Sequence, residues 1–296
     1  MKKFVIVSDS CCDLSVGLRE KYHIEYIPMH FTIEGKEYSA DLDWKGISVK
    51  DFYDTMRKGT RIFTAQVNAE EYRERFEEYI QDGYDILYIS CSSALSASVK
   101  ESYVVRDELL KKYQGSKIIC VDGLNSSCGL GMLCMRASEL RAEGKSIDEV
   151  AKEIEKLRFF INQDITPEKL SYLKQAGRVS AASAFFGGLL NIKPIIISDA
   201  KGQNVAIEKV KGRQTSMDRL VDMFAENYTD VPYQKIMICH GDCLEEAKKL
   251  KEQLLAVLVE EPEIHIEYIG PIVGASVGPG TLAVQFFGKE VTLNKE

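Results

Sequence analysis

No apolar run in this 296-residue chain approaches the ~18 residues that a membrane-crossing helix needs. Lys2 and Lys3 precede a short apolar stretch, residues 4–7, that stops at Ser8-Asp9. That stretch is too short for the core of a signal peptide, so no leader is expected. Basic charge is not in excess: 38 Lys and Arg face 45 Asp and Glu, a net charge of −7. With no basic stripe interleaved with aromatics, nucleic acid and stable membrane insertion are not expected as partners. The eight cysteines lack paired spacing, which points to a reduced, cytoplasmic setting rather than a disulfide framework. Cys239-His240-Gly241-Asp242-Cys243 offers soft ligands, but no second pair at metal spacing accompanies it, so a strand end with a turn is expected there and no metal. There is no P-loop, no Gly-x-Gly-x-x-Gly and no acidic ribose ligand, and nucleotide binding is not expected. Nor is a nucleophile elbow read from the chain, although four histidines, His23, His30, His240 and His265, are present. Internal repeats and low-complexity segments are absent.

What is there reads as globular. Apolar residues make up 45% and charged residues 28%, a balance able to build a core. The length fits two domains of about 150 residues each. Short β-rich runs at residues 4–7, 86–89 and 118–121 each lead into Ser, Asp or Gly. Between them, apolar residues recur at three- and four-residue spacing in 49–57, 69–80, 99–113 and 132–142. Strands alternating with helices predict right-handed βαβ units and a parallel sheet for residues 1–160. After a helix over 146–160 the rhythm changes. Strands are expected at 194–197, 204–210, 235–239, 265–269 and 282–287, with helices only at 215–228 and 244–257. Residues 161–296 therefore read as α+β with a mixed sheet, the boundary falling at 158–164.

In a doubly wound sheet, ligands gather at the loops beyond the carboxyl ends of the strands. Three such turns stand out. Asp9-Ser10-Cys11-Cys12-Asp13-Leu14 follows the first strand, and Asp13 is placed to cap the next helix. Ser90-Cys91-Ser92-Ser93-Ala94-Leu95-Ser96-Ala97-Ser98 carries five serines in nine residues, more than one helix cap requires. Together with Thr64-Ala65-Gln66 it suits a carboxylate or phosphate. Asp122-Gly123-Leu124-Asn125-Ser126-Ser127-Cys128-Gly129-Leu130-Gly131 reads as mainly structural. Near the C-terminus, residues 270–280 are dense in glycine and offer one reactive side chain, Ser276.

In this order the turns make the chain resemble the DegV family over essentially its whole length. The pattern runs from Asp9-Ser10-x-x-Asp13-Leu14 through Thr64-x-Gln66, Ser92-Ser93-x-Leu95-Ser96 and Asp122 with Gly129 and Gly131. It continues with Leu170-x-x-Leu173-x-x-x-Gly177-Arg178-Val179, Ile192-Lys193-Pro194, Lys211-x-Arg213 and Gly270-Pro271. Each piece is weak alone, and the series is specific.

The resemblance implies a two-domain DegV-like α/β fold with one long-chain fatty acid in an interdomain tunnel. It implies a lipid-binding carrier with no cofactor and no catalytic residue of its own, which presents the carboxylate to a fatty acid kinase for acyl-phosphate formation in phospholipid metabolism. Thr64 and Ser96 match the hydroxyls that hold the carboxylate, with Ser276 as the third position. Ser92, Ser93, Ala65 and Ala97 belong to the supporting loops, and Arg213 and Arg178 match basic positions read as kinase contacts. Residues 185–190 and 195–197 are candidate tunnel walls. The chain departs from the family where a His-Thr pair is usual: Ser276-Val277 stand there, and serine is shorter and cannot become cationic. Ala65, Asn68 and Ala97-Ser98 are further departures. Two other readings compete: an enzyme acting on a small carboxylated or phosphorylated metabolite at the same loops, and a stand-alone lipid sensor.

Overall fold

Short apolar strands joined by helices pair in parallel, as their spacing predicts. The computed structural model describes residues 2–180, 191–260 and 262–295. In its first part come β1 (Phe4–Asp9), a single 3-10 turn (Ser10–Cys12), α1 (Val16–Tyr22), β2 (Ile24–Ile27), β3 (His30–Ile33) and β4 (Lys36–Ser39). Then follow α2 (Val49–Arg57), β5 (Ile62–Ala65), α3 (Ala69–Gln81), β6 (Asp85–Ser90), α4 (Ser98–Lys112), β7 (Ile118–Asp122), α5 (Ser127–Ala142) and α6 (Ile147–Leu157). The remainder holds β8 (Ile161–Thr166), α7 (Leu170–Ala176), β9 (Ile192–Ser198), β10 (Asn204–Lys211), α8 (Arg213–Asn227) and β11 (Lys235–His240). It closes with α9 (Leu244–Val257), β12 (Glu263–Tyr268), α10 (Pro271–Val277) and β13 (Leu282–Phe287).

Three sheets result. The first is wholly parallel, in the order β2-β1-β6-β7. A small antiparallel sheet, β4-β3-β5, carries Thr64 opposite Phe31. The third runs β10-β9-β8-β13-β11-β12, antiparallel except for the β11–β12 pair. The expected α/β class with a parallel sheet and a later mixed sheet is what the chain adopts. The small sheet was not foreseen. Its strands have four residues each, too few for a pattern to register, and β4 (Lys-Glu-Tyr-Ser) has no apolar face.

One helix lies between the two large sheets. α5 packs against β1 and β6 on one side and against β11 and β13 on the other. Twelve of its sixteen residues are buried, from Ser127 to Leu140. A helix whose first nine residues carry no charge belongs in such a place, and its two glycines set the approach on both sides. A Cβ on Gly131 would meet Leu14 Cδ2 at 2.5 Å and the Cys12 carbonyl oxygen at 2.7 Å. On Gly129 it would meet Gln163 Cδ at 3.0 Å. Glycine inside a helix costs about 1 kcal/mol relative to alanine, and the close packing offsets that cost. The sequence reading began this helix at residue 132 and so left out the segment with both contacts.

β8 was also missed, because Asn162, Gln163 and Asp164 interrupt its apolar pattern. Buried Gln163 satisfies itself by donating to Asn125 Oδ1 (2.6 Å) and accepting from Gln285 Nε2 (3.2 Å), its register partner on β13. Polar side chains in a central strand are tolerated when each finds such a partner. Ile195 and Ile196 of β9, expected as tunnel wall, are fully buried in two core clusters instead, and residues 185–190 lie outside the described residues. Among the described residues no helix is long and apolar enough to cross a membrane.

Replacing Gly131 by alanine is expected to destabilise the fold by about 1–3 kcal/mol, because one of the atoms it meets is backbone and cannot rotate away. Urea unfolding of the variant beside the parent measures this. An exposed glycine with open space around it, Gly17, should tolerate the same change.

Candidate functional site

Asp9, at the end of β1, organises the loops above the parallel sheet. Its Oδ2 accepts from Cys91 N (2.8 Å), Ser90 Oγ (3.1 Å) and Tyr88 OH (3.1 Å), and its Oδ1 accepts from Cys11 N (2.9 Å). The Tyr72 and Tyr88 hydroxyls lie 2.6 Å apart, and Tyr72 also donates to Ser98 O (3.1 Å) at the start of α4. Both ends of the serine-rich loop are therefore tied to one buried carboxylate. Burial pushes the Asp9 carboxyl up, while its four hydrogen bonds pull it back down. Asp9 is fully enclosed, so its place is beneath the site, holding it.

The third turn supports the same loop from the side. Asp122 Oδ1 accepts from Ser93 N and Leu124 N, both at 3.1 Å, and Asn125 O accepts from Ser92 N (2.9 Å). Asp13, expected to cap a helix, does not: Ser15 occupies the N-cap of α1. Asp13 stands in the left-handed region (φ 48°), and its Oδ2 accepts from Ser127 Oγ at 2.7 Å. Its Oδ1 faces Gly270, where a Cβ would lie 2.2 Å away. Burial lifts its carboxyl to about 8, so it is largely neutral at pH 7.

Above this base lies a cavity of about 490 Å3, within the range of about 300–1,000 Å3 that small-molecule sites occupy. It brings together Thr64 and Ala65 of β5, Ser93, Ser96 and Ala97 of the serine loop, Ser276 of α10 and Arg178. Thr64, Ser96 and Ser276 thus bring hydroxyls from three separate elements, and Ser93 and Ser126 add two more to the wall. Thr64 Oγ1 has no hydrogen-bond partner among the described residues. Ser98 N donates to Ser96 Oγ (3.2 Å), and the Ser96 and Ser98 hydroxyls lie 3.0 Å apart. Ser276 Oγ donates to Ile272 O at a long 3.5 Å, a weak bond that a ligand can replace. Cys11, Met29, Cys91, Leu95, Ile272 and Val277 form an apolar and sulfur stretch of the wall, and Gln66, Ser126 and Asn204 add polar groups. Cys11 Sγ lies 3.7 Å from Met29 Sδ. Its thiol is held well above the ordinary range by its hydrogen bond with Cys91 and by burial, so it stays neutral.

Two expected residues stand elsewhere. Ser92 is buried and donates to Gly202 O (2.8 Å), pinning the loop to the turn between β9 and β10. Arg213 lies at the start of α8, with Nε and Nη2 on the two oxygens of Glu246 (3.2 and 2.8 Å). Its Nη1 and Nη2 also donate to Thr166 O (3.2 Å) and Gly280 O (2.6 Å). That guanidinium is committed to shaping the loop that follows α10. Arg178 remains at the cavity, exposed, donating from Nε to Leu95 O (3.2 Å). Sequence reasoning missed Met29, Asn204 and Ser126 in the lining. Cys11 and Cys91 lie in the turns after β1 and β6 that the sequence singled out, though neither was named there as a site residue.

One reading needs correction. Gly274-Ala275-Ser276-Val277-Gly278 does match the Gly-x-Ser-x-Gly spacing of a nucleophile elbow. An elbow serine sits on a strained turn between strand and helix, whereas Ser276 is the sixth of seven residues of α10. The glycines serve packing: a Cβ on Gly274 would lie 2.6 Å from Tyr53 OH, and one on Gly278 would lie 2.2 Å from the Tyr172 ring. Among the histidines, His240 is turned inward, accepting from Cys243 N at 3.2 Å, and burial lowers it to about 4. His240 ends β11 and the chain then turns, as expected for residues 239–243.

The family model described as "Uncharacterised protein, DegV family" matches residues 3–289. The chain belongs to the DegV family. It is 36% identical over 288 residues to a DegV domain-containing protein of Clostridium perfringens, covering 97% of this chain and 98% of that one. Among solved structures it resembles a fatty-acid-binding DegV family protein from Thermus thermophilus (TM-score 0.85, 25% identity, 98% of this chain and 100% of the other). It also resembles DegV, a fatty acid binding protein from Bacillus subtilis (TM-score 0.83, 25% identity, with the same coverage). The DegV fold here sets its loops over a parallel sheet, with a mixed sheet beside it.

The neutral, buried Asp13 makes a pH prediction. A carboxyl whose folded value lies near 8 binds a proton in the folded state that the unfolded chain gives up near 3.8. Stability is therefore expected to fall as pH rises between those values. Asp13→Asn should remove that loss, so that its stability relative to the parent improves by a few kcal/mol between pH 5 and pH 9, read from urea unfolding.

Proposed function

We propose that this DegV-family chain is a carrier of one long-chain fatty acid. The acyl chain lies in the cavity between the unit of residues 1–160 and that of residues 161–296, with its carboxylate on Thr64, Ser96 and Ser276. The observation that carries this reading is the convergence of those three hydroxyls, each on its own element, on a cavity that also has an apolar and sulfur stretch of wall at Cys11, Met29, Cys91, Leu95, Ile272 and Val277. A carboxylate needs donors where it is desolvated, and an acyl tail needs none. The fatty-acid binding of the Thermus thermophilus and Bacillus subtilis relatives supports it.

The energetics fit a carrier. Burying roughly 12 methylenes at ~0.8 kcal/mol each gives about 10 kcal/mol before ordering costs. Hydrogen bonds to the ionised head group contribute ~1.5–3 kcal/mol each, mostly offset by its desolvation. The tail then sets affinity and the hydroxyls select the head group. Ser276 offers one neutral donor, so the head group keeps its full negative charge there. In this reading the chain supplies no nucleophile of its own. It hands the carboxylate to a fatty acid kinase in the cytoplasm, with Arg178 exposed at the mouth as the contact, and it meets membranes only during lipid exchange.

Native mass spectrometry of protein purified by gel filtration should show one added fatty-acid mass. Apoprotein alone, with no uptake of oleate or palmitate, would contradict the proposal. Thr64→Val combined with Ser96→Ala should weaken oleate binding by about tenfold or more, the loss of charge-assisted hydrogen bonds; unchanged affinity rejects the head-group assignment. Acyl phosphate formed on mixing with a fatty acid kinase and ATP tests the hand-over.

A further inference from the structure

Beside the head-group cavity lies a second chamber of about 310 Å3 that shares Thr64, Arg178 and Ser276 with it. Its wall reverses the charge of the molecule. The chain carries 45 acidic against 38 basic residues. Yet Arg57, Arg61, Lys169 and Arg178 line this chamber, and no Asp or Glu does. Arg57 is neutralised from behind by Asp54 (2.8 Å) and Asp242 (2.5 Å). The other three are not. Arg61 Nη2 donates to Gln175 O (2.9 Å), and its guanidinium lies 4.5 Å from the centre of the Phe63 ring. Among the described residues Arg178 donates to the carbonyls of Leu95 (3.2 Å) and Ala176 (2.5 Å) and to no carboxylate. Lys169 has no ion-pair or hydrogen-bond partner among the described residues.

Cations that lack counter-charges and face one concave space repel each other unless an anion joins them. The hydroxyls of Thr60, Thr64, Ser171 and Ser276 stand in the same wall. Guanidinium and ammonium groups with hydroxyls between them are the donor set of a phosphate site. The chamber is too small for an element of another protein. The geometry points to a phosphate-binding site in this second chamber, adjoining the carboxylate site and sharing Thr64 and Ser276 with it. Its assignment to the lipid's end of the cavity rests on the fatty-acid reading, while its affinity for phosphate does not. Two sources carry the chemistry: a free phosphate or pyrophosphate, and a phosphate borne on an alkyl chain.

Phosphorus NMR titrations of the full chain with inorganic phosphate, pyrophosphate and dodecyl phosphate test this, with dodecanoate binding measured in parallel. Binding of either free anion identifies a free-phosphate site, and binding of dodecyl phosphate alone identifies one that needs the chain as anchor. In both cases Arg61→Ala/Lys169→Ala should weaken the phosphate ligand by about tenfold or more, the loss of charge-assisted contacts, and leave dodecanoate affinity unchanged. Raising the salt should weaken the phosphate ligand further. No response to any of the three probes overturns the site, as does equal affinity in the double variant. Loss of dodecanoate binding in the parent protein counts against the fatty-acid reading instead, and the free-phosphate titrations still decide this one.

Discussion

How closely α5 approaches both large sheets is the constraint on which the rest of the structure depends. The helix is buried along nearly its whole length. Gly131 lets it rest on the backbone of the turn after β1, and Gly129 lets it rest on the side chains of β8. One core cluster therefore runs continuously from the parallel sheet into the mixed one, from Ile6 and Ile89 to Met237 and Ala283. Glu139 pairs with Lys235 of β11 across the same seam. Such packing leaves no freedom to slide, because close-packed interiors transmit displacement. The cavity formed above the seam inherits that fixed spacing.

A second level of order is polar and lies directly under the site. The Asp9 carboxylate collects four hydrogen bonds from two loops, and the Tyr88–Tyr72 pair carries the connection to the start of α4. Buried networks of this kind specify geometry when every member is satisfied. Here they fix the backbone of the serine loop and leave the outer hydroxyls of Thr64 and Ser276 with weak or absent bonds of their own. A ligand head group meets donors already in place, which lowers the ordering cost of binding.

Much of this was legible in the chain. Alternating apolar runs and amphipathic stretches foretold the parallel sheet, and later strands that follow one another without an intervening helix foretold the mixed one. The serine-rich turn pointed to Ser96 together with Thr64 as an anion site, while Arg178 and Ser276 were reached through the family resemblance. Three things were not legible, each for a physical reason. β8 hides because Gln163 and Asp164 are polar yet buried, satisfied or neutralised only by the tertiary structure. Burial lifts Asp164 to about 7. The β3–β5 sheet hides because four-residue strands carry too little pattern. The roles of Asp9, Asp13 and Arg213 hide because local sequence shows a turn or a charge but not what encloses it. The Gly-x-Ser-x-Gly spacing around Ser276 shows the converse: a motif without its strand–turn–helix setting carries no chemistry.

The central claim is that a fatty acid fills the cavity above α5 with its carboxylate on hydroxyls from three elements. A crystal structure of the protein grown with palmitate tests it most directly. The account predicts a continuous tube of density along Met29, Cys91 and Ile272, ending within hydrogen-bond distance of Thr64, Ser96 and Ser276. A cavity filled only by water at saturating palmitate, or a tube whose polar end points away from those hydroxyls, would contradict it.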